Sequence, residues 1–183
     1  MTKKLFPAIG LITVVLLNCG NNLIAKKKVQ NSNYLVTMTG IDSLQLMMTM
    51  VELEKLLQAE VTLPNIVKGG YSDTIPIKYK GVDMTLYFEG DTKADATVRG
   101  IETSSPACKT ASGLGTGSSK ISVINAYPDN LKYVAPEYEA YPVRSTTKSA
   151  VAVMDTIYTR ALVFHVIDKK VTSVEVKSYY EFY

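Results

Sequence analysis

Two periods of hydrophobic residues run along this chain, one of two and one near 3.6. From Val82 to Phe88 the apolar positions fall on every second residue, Val82, Met84, Leu86 and Phe88, the spacing of a strand with one buried face. Similar runs predict strands over 75–79, 82–89, 94–101, 151–158, 160–167 and 171–180, with a weaker first strand over 34–39. Helical spacing occurs twice. Thr49 with Glu52 forms a Thr-x-x-Glu capping box ahead of Val51, Leu53, Leu56 and Leu57, which predicts a short helix over 50–58. Ser118 or Ser119 caps a second helix over 120–127, stopped by Pro128.

The segments between these runs carry turn chemistry. Pro64 and Gly69-Gly70 close the region after the first helix, 90–93 is a turn, and the glycines 113, 115 and 117 deliver the chain into the second helix. Residues 131–149 are rich in Tyr, Pro and Ser and read as a long loop with ragged strands. Each half of the chain therefore carries a capped short helix followed by an antiparallel meander. Leu86, Phe88 and Val98 match Leu162, Phe164 and Val174 at an offset of 76, which reads as an internal duplication. The expected fold class is α+β, with two similar halves over 34–105 and 106–183, each a short helical segment packed on an antiparallel β-meander.

The first 33 residues follow neither period. Lys3 and Lys4 precede an apolar stretch from Leu5 to Leu17, and no acidic residue occurs before Asp42. That is the pattern of a secretory leader, too short for a stable span. Residues 1–18 read as a signal peptide ending at Leu16-Leu17-Asn18 before Cys19. Residues 19–33 are polar, carry Lys26-Lys27-Lys28 and read as a flexible tether. Two readings of those lysines stay open, contact with anionic headgroups or simple solvation. Loss of Lys3 and Lys4 takes the 20 basic residues to 18 against 17 acidic, a net charge of +1. A nearly neutral chain gives no reason to expect nucleic acid.

The search for chemistry is mostly negative. His165 is the only histidine, and it lies opposite in parity to Leu162, Phe164 and Val166, so it reads as a structural residue on the second face of its strand. With one histidine and two cysteines, Zn²⁺ and similar metals are disfavoured. The glycine run lacks the G-x-G-x-x-G and P-loop spacings. No G-x-S-x-G elbow occurs, and sequence alone pairs no carboxylates into an acid–base couple. The expectation is a protein that is not an enzyme and holds no cofactor or metal. Cys108 is left without an intramolecular partner if Cys19 is modified, and reads as a buried thiol; the alternatives are pairing to another chain or, if Cys19 carries no lipid, a Cys19–Cys108 disulfide. The compositional oddity is 12 tyrosines with no tryptophan. Tyr127, Tyr133, Tyr138 and Tyr141 crowd one region beside Pro128, Pro136 and Pro142, where they serve either as a recognition surface or as packing over a sheet edge.

Three stretches resemble known families. Leu16-Leu17-Asn18-Cys19 resembles a bacterial lipobox, of the looser kind found in spirochaete lipoproteins because Asn18 replaces a small residue. That resemblance implies cleavage before Cys19, diacylglycerol and a fatty acid on it, and a lipid anchor to the outer membrane, facing either the periplasm or the medium. The segment from Leu44 to Leu56, LQLMMTMVELEKL, resembles the L-x-L-G-M-[ST]-x-x-E opening of small envelope repeats, with Met47 where the family has glycine. The segment from Lys109 to Ser119, KTASGLGTGSS, resembles their K-T-x-x-G-[IL]-x-x-G-[ST]-[ST] segment, followed here by Tyr127-Pro128 where the family has Tyr-Gly. These motifs belong to small outer-membrane-assembly lipoproteins and to β-lactamase-inhibitor-protein-like domains. The resemblance implies repeats of a helical hairpin on a small antiparallel sheet, and a binding or scaffolding module with a protein or peptide partner. Its alternative is an inhibitor of an envelope or secreted hydrolase.

Overall fold

A computed structural model describes residues 34–63, 73–157 and 159–178. The leader over 1–18, Cys19 and the tether over 19–33 lie outside the described residues, as do Pro64, Gly69-Gly70 and the aromatic tail over 179–183.

The larger sheet has seven strands in the order β4(Asp73–Tyr79), β5(Val82–Glu89), β6(Thr97–Thr103), β11(Lys170–Ser178), β10(Arg160–Ile167), β9(Val143–Met154), β8(Lys132–Ala140). Neighbours are antiparallel throughout. Two meanders, β4–β6 and β8–β11, thus meet at their last strands. The junction is a short ladder pairing Thr103 with Val174, Glu102 with Glu175, Ile101 with Val176 and Gly100 with Lys177. A second sheet has four short strands in the order β3(Leu44–Gln45), β2(Gly40–Ile41), β1(Tyr34–Thr37), β7(Cys108–Thr110). Its β1–β7 pair is parallel, so the start of the first half lies beside the start of the second.

The main core runs through these layers, with a smaller buried cluster of Met154, Ala161 and Val163 apart from it. Leu86, Phe88, Ile101, Val151, Val153, Phe164 and Val176 are fully buried on one face of the large sheet. The small sheet adds Val36, Ile41, Leu44 and Cys108 to the same cluster. So do helix α1(Met50–Leu57) through Met50 and Leu53 and helix α2(Lys120–Ala126) through Val123. Removal of a side chain such as Phe88 or Phe164 from water contributes about 1.5–3 kcal/mol, which outweighs the weak intrinsic stability of helices this short. The capping box forms as the sequence predicts. Thr49 Oγ1 accepts from the Glu52 N–H at 3.3 Å, and the Glu52 carboxylate accepts from the Thr49 N–H at 2.8 Å. Ser119 caps α2 by accepting from the Ser122 N–H at 3.1 Å.

Two expectations need correction. Residues 131–149 are not a loop, because β8 and most of β9 run through them and form a long hairpin. Nor do the described residues carry a helical hairpin in either half. Each half supplies one short helix, preceded by short strands of the small sheet. The chain is mostly β-sheet, with two short helices among the described residues.

Candidate functional site

The β8–β9 hairpin departs from the alternation seen elsewhere. Of the nine residues of β8, only Lys132 and Glu137 are even half-buried, so the strand offers side chains to solvent on both faces. Tyr133 is 58% exposed, Tyr138 50% and Tyr141 86%. The rings of Tyr138 and Tyr141 stand 5.5 Å apart at the hairpin tip, where Tyr141-Pro142 is a cis peptide and Val143 is exposed. Tyr127 is elsewhere. It follows α2, is half-buried, and its ring lies 6.4 Å from that of Phe164. Burial pushes its hydroxyl pKa up, against a smaller lowering by its hydrogen bond with Thr110. The structure therefore brings Tyr133, Tyr138 and Tyr141 to one hairpin and sends Tyr127 to the core.

Opposite the hairpin tip the ladder is interrupted. Pro136 pairs with Ser149 and Tyr138 with Arg144, so the residues from Ser145 to Lys148 bulge out of β9. Ser145 holds the bulge together. Its hydroxyl accepts from the N–H groups of Thr147 and Lys148 and donates to Glu139, which also pairs with Lys148 at 3.2 Å. These hydrogen bonds, from Ser145 first and then Lys148, lower the Glu139 pKa.

On the face of the large sheet away from the core, a polar cluster straddles the β6–β11 junction. Tyr87 donates to Glu102 at 2.7 Å, and Ser173 donates to the other Glu102 oxygen at 2.6 Å. His165 sits between Glu137 at 2.8 Å and Glu175 at 3.4 Å, with 30% of its side chain exposed. The strand parity expected for His165 is the one observed. The Glu175 hydrogen bond raises the His165 pKa, burial opposes it, and the Glu137 hydrogen bond adds to the rise, for a value of about 9. Burial raises the Glu102 pKa, but the hydrogen bonds from Ser173 and Tyr87 outweigh it and leave the carboxyl lowered. Tyr87 is raised, first by burial and then by Glu102. The sequence pointed to His165 but not to its partners, which come from β8 and β11 and lie 28 and 10 residues away.

The remaining candidates have structural roles. Cys108 is a free, buried thiol whose pKa burial pushes up. The glycine run is a tight turn. A Cβ on Gly115 would lie 2.4 Å from the Cys108 carbonyl oxygen, and Gly117 has a φ of +90°. Among the described residues no group of three or more His, Cys, Asp or Glu is placed to hold a metal ion, and no helix is long and apolar enough to cross a membrane. Comparison with protein-family models, with curated proteins and with solved structures gave no match.

Proposed function

We propose that this chain is an envelope lipoprotein, anchored at the outer membrane through acyl chains on Cys19, that binds a protein or peptide partner with its β8–β9 hairpin and does no catalysis. The anchor rests on the leader and the Leu16-Leu17-Asn18-Cys19 pattern. The binding role rests on one observation, the exposed Tyr138–Tyr141 ring pair at the tip of a hairpin that buries little of itself. Tyrosine gives a large contact area with few rotatable bonds, and rings left in water gain most when a partner covers them. Tyr133 is exposed on the same strand, and Tyr127, half-buried against Phe164, drops out.

The test is photocrosslinking in intact cells from a probe placed at Tyr141. A discrete crosslinked protein, lost when Tyr133 and Tyr138 are changed to Ser, is expected, with a thermal midpoint unchanged in the purified variant. A probe that captures nothing, or captures the same species in the variant, rejects the hairpin as the contact. Intact mass of the cell-derived chain checks the anchor separately, and an unmodified Cys19 thiol rejects it. The second reading is a hydrolase inhibitor, and the projecting tip around Tyr141-Pro142 is the feature that favours it. Inhibition of an envelope or secreted hydrolase by the chain, lost on Tyr141→Ala, separates that reading from scaffolding.

We further read the halves as duplicated. The Met47 N–H donates to the Val98 carbonyl at 2.7 Å, and the Val98 N–H donates to that of Met48 at 3.0 Å. The second half repeats this bracket. The Gly117 N–H donates to Val171 at 2.8 Å, and the Val171 N–H donates to Ser118 at 2.9 Å. The helix caps Thr49 and Ser119 bridge to the first residues of β6 and β11, Thr97 and Lys170. Register shifts fall at matching places, between Tyr87 and Phe88 and between His165 and Val166. These matches replace the offset of 76 read for the strand positions and keep the offset of 70 between the caps. The spacing is 70 at the caps, 73 between β6 and β11, and 78 between β5 and β10.

A further inference from the structure

The bulge in β9 borders a half-open concavity of about 310 Å³ on the α2 side of the hairpin. Its walls are Val134 and Pro136 from β8, the run from Ser145 to Ser149, Lys120 at the start of α2, and Lys169 in the β10–β11 turn. Three of these are lysines, four are Ser or Thr, and no carboxylate lines it among the described residues. Two acids border the wall, Glu139, which is held by Lys148 and Ser145, and Asp168, which neighbours Lys169. Lys120 Nζ donates to Ser149 Oγ at 2.9 Å, which uses one of its three protons, and Ser149 is itself buried. The backbone is braced around the opening. The Lys120 N–H donates to the Lys169 carbonyl at 2.9 Å, and the Asp168 N–H donates to that of Thr147 at 3.2 Å.

We infer that this concavity is an anion site, for a phosphate ester or similar compact oxyanion carried on a small ligand. Its volume lies at the lower end of ligand pockets, so the group it admits is of headgroup or sugar-phosphate size. Lys120 and Lys169 supply charge, the Ser and Thr hydroxyls supply further donors, and Val134 with Pro136 give an apolar wall for the carbon part. The chemistry is shared by the headgroup of an anionic phospholipid and by a soluble phosphate ester.

The experiment follows the amide signals of residues 145–149 by NMR, on the ¹⁵N-labelled full chain in zwitterionic detergent, titrated with glycerol 3-phosphate. Saturable shifts with a Kd of about 1 mM are expected. Lys120→Ala and Lys169→Gln should each weaken binding about fivefold, while Lys55→Ala on α1 should not. In nanodiscs, the same shifts with phosphatidylglycerol but not with phosphatidylcholine alone assign the lipid headgroup. Their absence in both, with the soluble titration intact, assigns a soluble phosphate ester. No saturable shift, or equal weakening by Lys55→Ala, overturns the site.

Discussion

Met47 and Gly117 each stand two residues before a helix cap, and each has a left-handed backbone, with φ of +67° and +90°. Each donates its N–H into the large sheet. Glycine takes that conformation freely, whereas methionine pays about 1–2 kcal/mol for it. Met47 recovers part of this through its sulfur, which accepts from Arg99 Nη1 at 3.0 Å. Met47→Gly should therefore raise stability by about 0.5 kcal/mol in urea unfolding. Gly117→Ala should lower it by about 1 kcal/mol, from backbone strain alone, because nothing lies within 4 Å of the new Cβ. A loss above about 1 kcal/mol in Met47→Gly would mean that the Arg99 contact outweighs the backbone. Nothing in the local sequence marks Met47 as left-handed.

At the scale of elements, legibility followed burial. Strand β5 was plain because its alternation, Val82 to Phe88, is the imprint of one core face. Helix α1 was plain because its capping box is local chemistry. Strand β8 was misread as loop because a strand wet on both faces leaves no alternation, and its Tyr, Pro and Glu resemble loop composition. The two-residue strands β2 and β3 are too short to show a period at all. Pro136 has a definite role in β8. It sits in an edge strand and brings no N–H, so the open side of the sheet lacks a donor there. Pro136→Val should restore the donor and add β propensity. The expected outcome is added concentration-dependent self-association in sedimentation velocity, and a variant that sediments as the unaltered chain does would show that the edge is guarded by something else.

At the scale of the molecule, the polar cluster ties both meanders together across the β6–β11 junction and reaches β8 through Glu137. His165 faces Glu137 and Glu175, with Glu102 and Lys177 close by, so its charge matters to the whole sheet. Its folded pKa of about 9 lies above the ordinary value of about 6.5. The resulting stability is complete below about pH 6.5 and is lost as pH rises through 9. Glu102 acts in the opposite sense. Its folded pKa is lowered, so its contribution is present above the ordinary carboxylate range and is lost as pH falls through the lowered value. Stability should therefore fall at both ends. The deficit of His165→Gln, measured by urea unfolding, should narrow by about 2 kcal/mol between pH 6 and pH 10. A deficit independent of pH would show that the imidazole acts by packing alone. The sequence placed His165 on this face but not Glu102, Glu137 or Glu175, because cross-strand neighbours are set by register, which no single strand encodes.

The small sheet has a mechanical consequence. The described chain enters at Tyr34, whose N–H donates to the Ala107 carbonyl and whose hydroxyl donates to that of Lys80, at 2.9 and 2.8 Å. Asp42 binds Lys80 at 2.7 Å and accepts from the Tyr79 hydroxyl at 3.1 Å. A pull arriving from residues before Tyr34 therefore loads four-residue β1 and these few side-chain links first. Under such a load they are expected to give way first, as a weak fuse, ahead of the long ladders of the seven-stranded sheet.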